Sequence, residues 1–171
     1  MIAPYRSITR TALALLTALP GMLLTATAWP SDDTSVAPWG RASAEQIRYK
    51  PHKVLYDVAT SGAEEFSRVL DRASYLNNLY GADPFAASIV LVLHGDEIPF
   101  FAIENVERYG DLMTRARSLT IGGIIEFRMC QVAARGHGYE PKDIHGFVKV
   151  VPMADAEIVR LQKEQGYAYM R

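Results

Sequence analysis

The lone cysteine of this 171-residue chain is the residue whose type and position most directly suggest chemistry. Cys130 follows an apolar, β-rich run and precedes a short segment with helix-forming composition. At a strand-to-helix junction, free backbone N–H groups and the helix dipole favour the thiolate, which is the nucleophilic form of cysteine. The sequence therefore predicts a reactive thiol within reach of solvent. The alternative is a small buried hydrophobe, which is how most unpaired cysteines behave.

Further candidate site residues lie at the ends of two other apolar runs. Asp57 ends the first run as a possible site acid, and His94 ends the second as an acid, a base or a hydrogen-bond donor to a bound sulfur species. We predict Cys130 and His94 as the catalytic pair. The predicted ligand-binding residues are Asp57, Gly95, Asp96 and Gln131.

Each of these residues also has an ordinary structural explanation. A histidine at a strand end is often satisfied by backbone groups, and an aspartate there is a good turn former. Asp96 and Glu97 together are typical of a solvated turn.

Alternating strands and helices must position these side chains. Apolar runs predict four strands and a short final one, and apolar residues at intervals of three and four predict the helices between them. Asp111 is a candidate N-cap and Gly122 a candidate stop for the helix around Ala116, after a separate helical stretch near Ile103. The predicted strands are 53–58, 88–94, 124–129, 147–151 and 167–169, and the other helices run from 61 to 81, 131 to 135 and 154 to 165.

This alternation predicts an α/β fold with a largely parallel sheet of about five strands and helices on both faces. Ligands of such sheets bind at the carboxyl ends of the strands. Asp57, His94 and Cys130 should therefore share one edge of the sheet. The distances among them depend on a strand order that the sequence leaves open.

Composition excludes several classes of function. With 18 Lys and Arg against 19 Asp and Glu, the chain has no excess of basic residues for nucleic-acid binding. One cysteine excludes an intrachain disulfide and a multi-cysteine zinc site, and the spacing of Cys130, His137 and His145 fits no compact zinc pattern. The sequence contains neither a GxGxxG motif nor a Walker-type phosphate loop, so we predict no metal and no cofactor.

The first residues resemble a secretory signal peptide. Arg6 and Arg10 precede an apolar stretch that ends in Ala26-Thr27-Ala28, a small-x-small cleavage pattern. We predict a signal peptide over 1–28, an extended arm over 29–50 and a single domain over 51–171. After cleavage the protein would be periplasmic and free of the membrane. The alternative is an uncleaved membrane anchor, which Pro20-Gly21 disfavours.

Several segments of the chain resemble the DsrE/DsrF-like family, which is linked to sulfur relay and sulfur oxidation. The resemblance covers about residues 52 to 170. Its six segments, in chain order, are KVLYDV at 53–58, ASYLNNLY at 73–80, IVLVLHGDEI at 89–98, FRMC at 127–130, VKVVP at 148–152 and QGYAY at 165–169.

The resemblance implies a flavodoxin-like three-layer α/β/α sandwich that assembles into trimers or hexamers. It also implies that Cys130 carries sulfane sulfur as a persulfide, exchanged with a donor or acceptor protein. We therefore expect a sulfur-handling protein in which His94 and the Gly95-Asp96 turn shape the pocket. The alternatives are an oligomeric module that binds a small ligand or a protein, with a structural cysteine, and a redox regulator in which Cys130 pairs between subunits.

Overall fold

The computed structural model describes residues 39–171, so the predicted signal peptide lies outside the described residues. The chain divides into two compact units, Met1–Glu45 and Gln46–Arg171. Residues 39–45, the described part of the first unit, contain neither helix nor strand. No helix within residues 39–171 has the length and apolar character needed to cross a membrane.

The second unit alternates strands with helices in the predicted manner. Short 3-10 turns occur at Ile98–Phe101, Ile103–Asn105 and Pro141–Asp143. The strands are β1 (His52–Val58), β2 (Ala87–Leu93), β3 (Ile125–Cys130), β4 (Val148–Val151) and β5 (Ala168–Met170). The helices are α1 (Ala63–Leu79), α2 (Val106–Leu119), α3 (Gln131–Gly136) and α4 (Ala154–Gln165).

All five strands are parallel, and their order across the sheet is β4-β3-β2-β1-β5. β1 pairs along its whole length with β2, from His52 opposite Ala87 to Val58 opposite Leu93. The predicted α/β sandwich is confirmed, and the sheet is wholly parallel. Because β5 returns to the free side of β1, the chain after α4 passes beside the first strand.

The sheet separates two apolar clusters. The larger cluster packs helices α1 and α2 against alternate residues of the strands, and the fully buried Phe101 lies in it, with ring centroids 5.3 Å from Phe66 and 5.7 Å from Phe127. The smaller cluster lies under α4 on the other face, where Ile158 and Leu161 pack against the sheet. Strand residues therefore alternate between an α1/α2 face and an α4 face of the sheet.

One local prediction about the helices is wrong. Asp111 does not cap a helix: α2 starts at Val106 and passes through Asp111, which is exposed. The apolar stripe already begins at Tyr109, whose ring packs 4.6 Å from that of Phe100, and so one helix replaces the two predicted stretches. At the start of α1, the Glu65 side chain reaches back and accepts Ser61 N–H at 2.8 Å.

Candidate functional site

Asp57, His94 and Cys130 share the carboxyl edge of the sheet, as predicted. β1, β2 and β3 are adjacent and parallel; Asp57 is the second-to-last residue of β1, His94 directly follows β2, and Cys130 ends β3. Because side chains alternate along a strand, Cys130 lies on the α4 face of the sheet. Asp57 and His94 lie on the same face, two residues after Leu55 and Val92 on their own strands. Since neighbouring strands lie about 4.8 Å apart, the three side chains start from neighbouring positions.

Asp57 holds His94 in place. The imidazole Nε2 lies 2.5 Å from Asp57 Oδ1, and both side chains are mostly buried. Tyr169 of β5 donates its hydroxyl to the other carboxylate oxygen, Oδ2. Both oxygens of Asp57 are thus occupied, and together the three residues form a continuous hydrogen-bonded chain, Tyr169–Asp57–His94.

The surroundings of Asp57 keep its carboxylate charged. Burial favours the neutral acid, but the hydrogen bonds from Tyr169 and His94 and the charges of His94 and Arg171 outweigh it, so the pKa of Asp57 lies below its ordinary value. The same hydrogen bond raises the pKa of Tyr169, because it favours the protonated phenol. At neutral pH, Asp57 is therefore an acceptor that orients His94.

We predict that Tyr169→Phe raises the pKa of Asp57, because it removes the strongest of the hydrogen bonds that stabilise the carboxylate. A depressed folded-state pKa stabilises the fold above the unfolded value of about 3.9, and this stability is lost as the pH falls through the folded pKa. The variant should therefore lose less stability on acidification. A carbon NMR titration of the Asp57 carboxyl measures the shift directly.

Tyr167→Phe is the matched control for this titration. The Tyr167 hydroxyl lies near β5 but contacts Ser88 Oγ, at 2.7 Å, and not Asp57. An Asp57 titration that moves equally in both variants, or in neither, contradicts the role given to Tyr169.

Cys130 ends β3 and caps α3. Its Sγ accepts the backbone N–H of Ala133 at 3.4 Å, and the N–H of a residue in the first turn has no partner within the helix. The sulfur is therefore a hydrogen-bond acceptor at the start of α3.

The predicted accessibility of the thiol is not found. Cys130 is 5% exposed and packs in the smaller apolar cluster with Leu55, Val90, Val92 and residues of α4. Because α4 crosses this face of the sheet, its side chains cover the end of β3. A sequence pattern does not indicate which helix packs over a given strand end. Access to Sγ therefore requires local movement of α3 or α4.

The charged residues nearest to Cys130 along β3 are already paired. Arg128 lies two residues earlier on the same face and contacts the carboxylates of Glu126 and Glu157. Arg160 donates to Glu157 at 2.6 Å, and these bonds, with the charge of Arg128, outweigh burial and hold the pKa of Glu157 below its ordinary value. Arg128 is therefore neutralised by carboxylates and is not a counterion for a Cys130 thiolate.

The turn after His94 has a structural role that the sequence did not predict. Glu97 is fully buried and accepts Thr60 N–H at 2.8 Å, the Thr60 hydroxyl at 3.0 Å and Gly95 N–H at 2.8 Å. The interpretation of Asp96 and Glu97 as a solvated pair is therefore wrong for Glu97. Its carboxylate ties the β2 turn to the β1 turn, and so fixes the backbone on both sides of the Asp57–His94 contact.

The other predicted ligand-binding residues, Gly95, Asp96 and Gln131, differ in how far they are exposed to solvent. Gly95 lies against the backbone of Ala59, whereas the Asp96 side chain is 73% exposed, with Oδ1 4.0 Å from His137 Nε2. Gln131 is half-buried in the first turn of α3. The edge thus carries Asp96 and His137 as a second acid–imidazole pair.

No group of three or more potential metal ligands occurs within residues 39–171.

Comparison with known proteins supports the fold alone. No family model matches the chain, and no curated protein matches it significantly. It is similar to the solved structure of a protein of unknown function, MTH1491 from Methanobacterium thermoautotrophicum, with 23% identity and a TM-score of 0.53. The match covers 70% of this chain and 98% of that one. At this level of identity the two proteins share an architecture, and the chemistry of the edge must be argued from its own residues.

Proposed function

We propose that the protein carries sulfane sulfur as a persulfide on Cys130. The observation that supports this most is the contact of Sγ with the Ala133 N–H at the carboxyl edge, beside the Asp57–His94 pair. The sulfur and the oriented imidazole start from neighbouring strands on the same face. Ligands of parallel α/β sheets bind at this edge.

The proposed transfer moves one sulfur atom without net oxidation. The Cys130 thiolate attacks the terminal sulfur of a polysulfide dianion. One S–S bond forms, and the neighbouring S–S bond breaks, so that a dianion shorter by one sulfur atom leaves with the electron pair. An acceptor thiolate then attacks the outer sulfur of the persulfide and releases the Cys130 thiolate. The cycle uses Cys130 as a thiolate twice, first as the attacking group and then as the leaving group.

His94 would position and protonate the sulfur species in this scheme. Its Nε2 is held by Asp57, and Nδ1 has no hydrogen-bond partner among residues 39–171. Nδ1 can therefore donate to the outer sulfur when the ring is protonated, or accept a proton from the thiol of the incoming acceptor.

Because the thiol is covered, the proposal includes a local opening. α3 has only six residues, and exposed positions such as Val132 and Arg135 lie along it. Short elements with few buried side chains open far more often than the whole domain unfolds. An opening of α3 beyond Ala133 would expose Sγ while its contact with Ala133 N–H, the sheet and the Asp57–His94 contact remain formed.

The burial of Cys130 favours a second candidate function. In this candidate the protein is a non-enzymatic binding module, and the thiol is only a packing group between the sheet and α4. Cys130→Ala would then leave binding intact and cost only the stability of a small cavity.

Alkylation of the folded protein separates the two functions. Cys130 is the only cysteine, so iodoacetamide labelling reports on it alone. The proposal predicts labelling at neutral pH that is faster than global unfolding and that increases with reagent concentration. Labelling that proceeds only at the independently measured unfolding rate, whatever the reagent concentration, would favour the packing role and exclude sulfur transfer.

A further inference from the structure

An open cleft of about 830 Å³ lies between α2 and the connection that enters β4. Its volume is within the range of sites that hold small organic molecules, roughly 300–1,000 Å³. Met113 and Phe147, which line it, belong to the α1/α2 face of the sheet. The cleft is therefore on the opposite face of the sheet from Cys130.

The walls of the cleft are largely apolar. One face of α2 supplies residues at helical spacing, among them Val106 and Met113, and Phe147 stands opposite. Val106 is 47% exposed, and Ile121, just beyond the end of α2, is 81% exposed. Contiguous apolar side chains that remain open to solvent commonly mark a binding surface.

His145 provides an unfilled polar position on the wall of this cleft. Its ring stacks on that of Phe147, with centroids 5.9 Å apart and planes inclined by 16°, and its backbone N–H donates to Phe101 O at 3.0 Å. These contacts fix the ring, yet Nε2 is buried without a hydrogen-bond partner among residues 39–171. Buried polar atoms are nearly always paired in folded proteins, so this nitrogen points to a missing partner.

Arg117 provides a positive charge on the opposite wall. It is exposed on α2 and lines the cleft together with the hydroxyl-bearing Thr114. No carboxylate within residues 39–171 forms an ion pair with its guanidinium, whereas Arg115 on the same helix is paired with Asp71 at 2.5 Å. An arginine fork without a carboxylate partner is suited to bind a planar anion.

We propose that this cleft binds a small organic anion with an apolar body, such as an aryl or alkyl carboxylate. The carboxylate pairs with Arg117. A small movement of the stacked imidazole that opens Nε2 to the cleft lets the carboxylate also accept a hydrogen bond from His145 Nε2–H, and the apolar body packs against Met113, Phe147 and Ile121. The charge of Arg117 favours an anionic group, the Nε2–H tautomer of His145 can donate to the same group, and the apolar walls favour an apolar body. The site is separate from the sulfur chemistry proposed for Cys130 and does not depend on it.

NMR titration of the isotopically labelled protein with phenylacetate and octanoate tests this site. Phenylacetamide and octanamide are the matched neutral probes. We expect saturable shifts at the Gly110 and Gly146 amides with the carboxylates, and binding at least about fivefold weaker with the amides. Arg117→Gln should weaken carboxylate binding by a similar factor. His145→Phe, which keeps a stacked ring but lacks the nitrogen, should also weaken it.

Arg108→Gln is the control variant, because it removes the same charge from the same helix outside the cleft. It should leave the affinity unchanged. Four outcomes overturn the proposal: no shifts with up to about 10 mM probe, equal binding of carboxylates and amides, equal binding by wild type and Arg117→Gln, or shifts confined to the carboxyl edge. A cleft closed by a second copy or by another segment of this chain would give the first outcome. Because Arg117 is exposed, Arg117→Gln should fold like the wild type, so a loss of binding reports on the cleft and not on unfolding.

Discussion

Gly95→Ala should lower the free energy of unfolding by about 2–4 kcal/mol, because no side chain fits at this position. A Cβ atom there would lie 2.6 Å from Ala59 Cα and 2.8 Å from Ala59 C, which are backbone atoms that cannot rotate away. It would also lie 2.8 Å from Glu97 Oε2. Equilibrium denaturation by urea measures the loss as a shift of the midpoint.

The buried carboxylate of Glu97 enlarges the effect of this substitution. If the turn shifts to relieve the contact with Ala59, Gly95 N–H moves away from Glu97 Oε1, and the bonds from Thr60 are strained as well. A buried carboxylate that loses a donor costs more than a neutral group does. The displacement also moves His94, so Gly95→Ala should weaken the Asp57–His94 contact.

Gly136→Ala is the matched control for Gly95→Ala. It makes the same change at the end of α3, where a Cβ atom would meet nothing within 4 Å. Alanine is the better helix former, so this variant should be as stable as the wild type or slightly more stable. If Gly95→Ala unfolds at the same urea concentration as Gly136→Ala, the two turns are not packed as described.

The sequence predicted those elements whose signals are local. α4 ends where Gly166 supplies a left-handed conformation, φ 71°, and its span from Ala154 to Gln165 was predicted to the residue. β1 and β2 differ from their predictions by one residue because apolar runs define buried strands well. α2 was misread because Asp111 resembles a cap, although the apolar stripe continues through it.

The candidate site was predictable in its composition but not in its contacts. The carboxyl-edge rule placed Asp57, His94 and Cys130 together, but the Asp57–His94 contact depends on β1 and β2 being neighbours. Tyr169 reaches Asp57 only because β5 returns beside β1, a placement with no local signal. A visible hint was the polar phenol of Tyr169 in a short β-rich tail.

The burial of Glu97 was not predicted, and the burial of Cys130 was one of two alternatives that the sequence left open, for a shared physical reason. Glu97 is buried because three donors from two separate turns converge on it, and no residue type or spacing announces such convergence. Cys130 is covered because α4 crosses the opposite face of the sheet from α1 and α2. Both facts depend on the relative positions of elements distant in sequence.

Sulfur uptake by Cys130 should be lost completely in the Cys130→Ser variant, because serine keeps the size of the side chain but supplies no thiolate. No other cysteine is present to replace it. The hydroxyl can still occupy the position near Ala133 N–H, so the variant should fold like the wild type, and circular dichroism checks this. The loss is all-or-none, which makes it the largest effect expected at the site.

Intact-mass spectrometry of the protein after incubation with polysulfide measures this claim most directly. We expect the wild type to gain the mass of one sulfur atom and to lose this mass again when a reducing thiol is added. The Cys130→Ser variant should gain no mass. A wild-type mass that stays unchanged under conditions where the unfolded chain does take up sulfur would contradict the account, and Cys130 would then be a packing residue only.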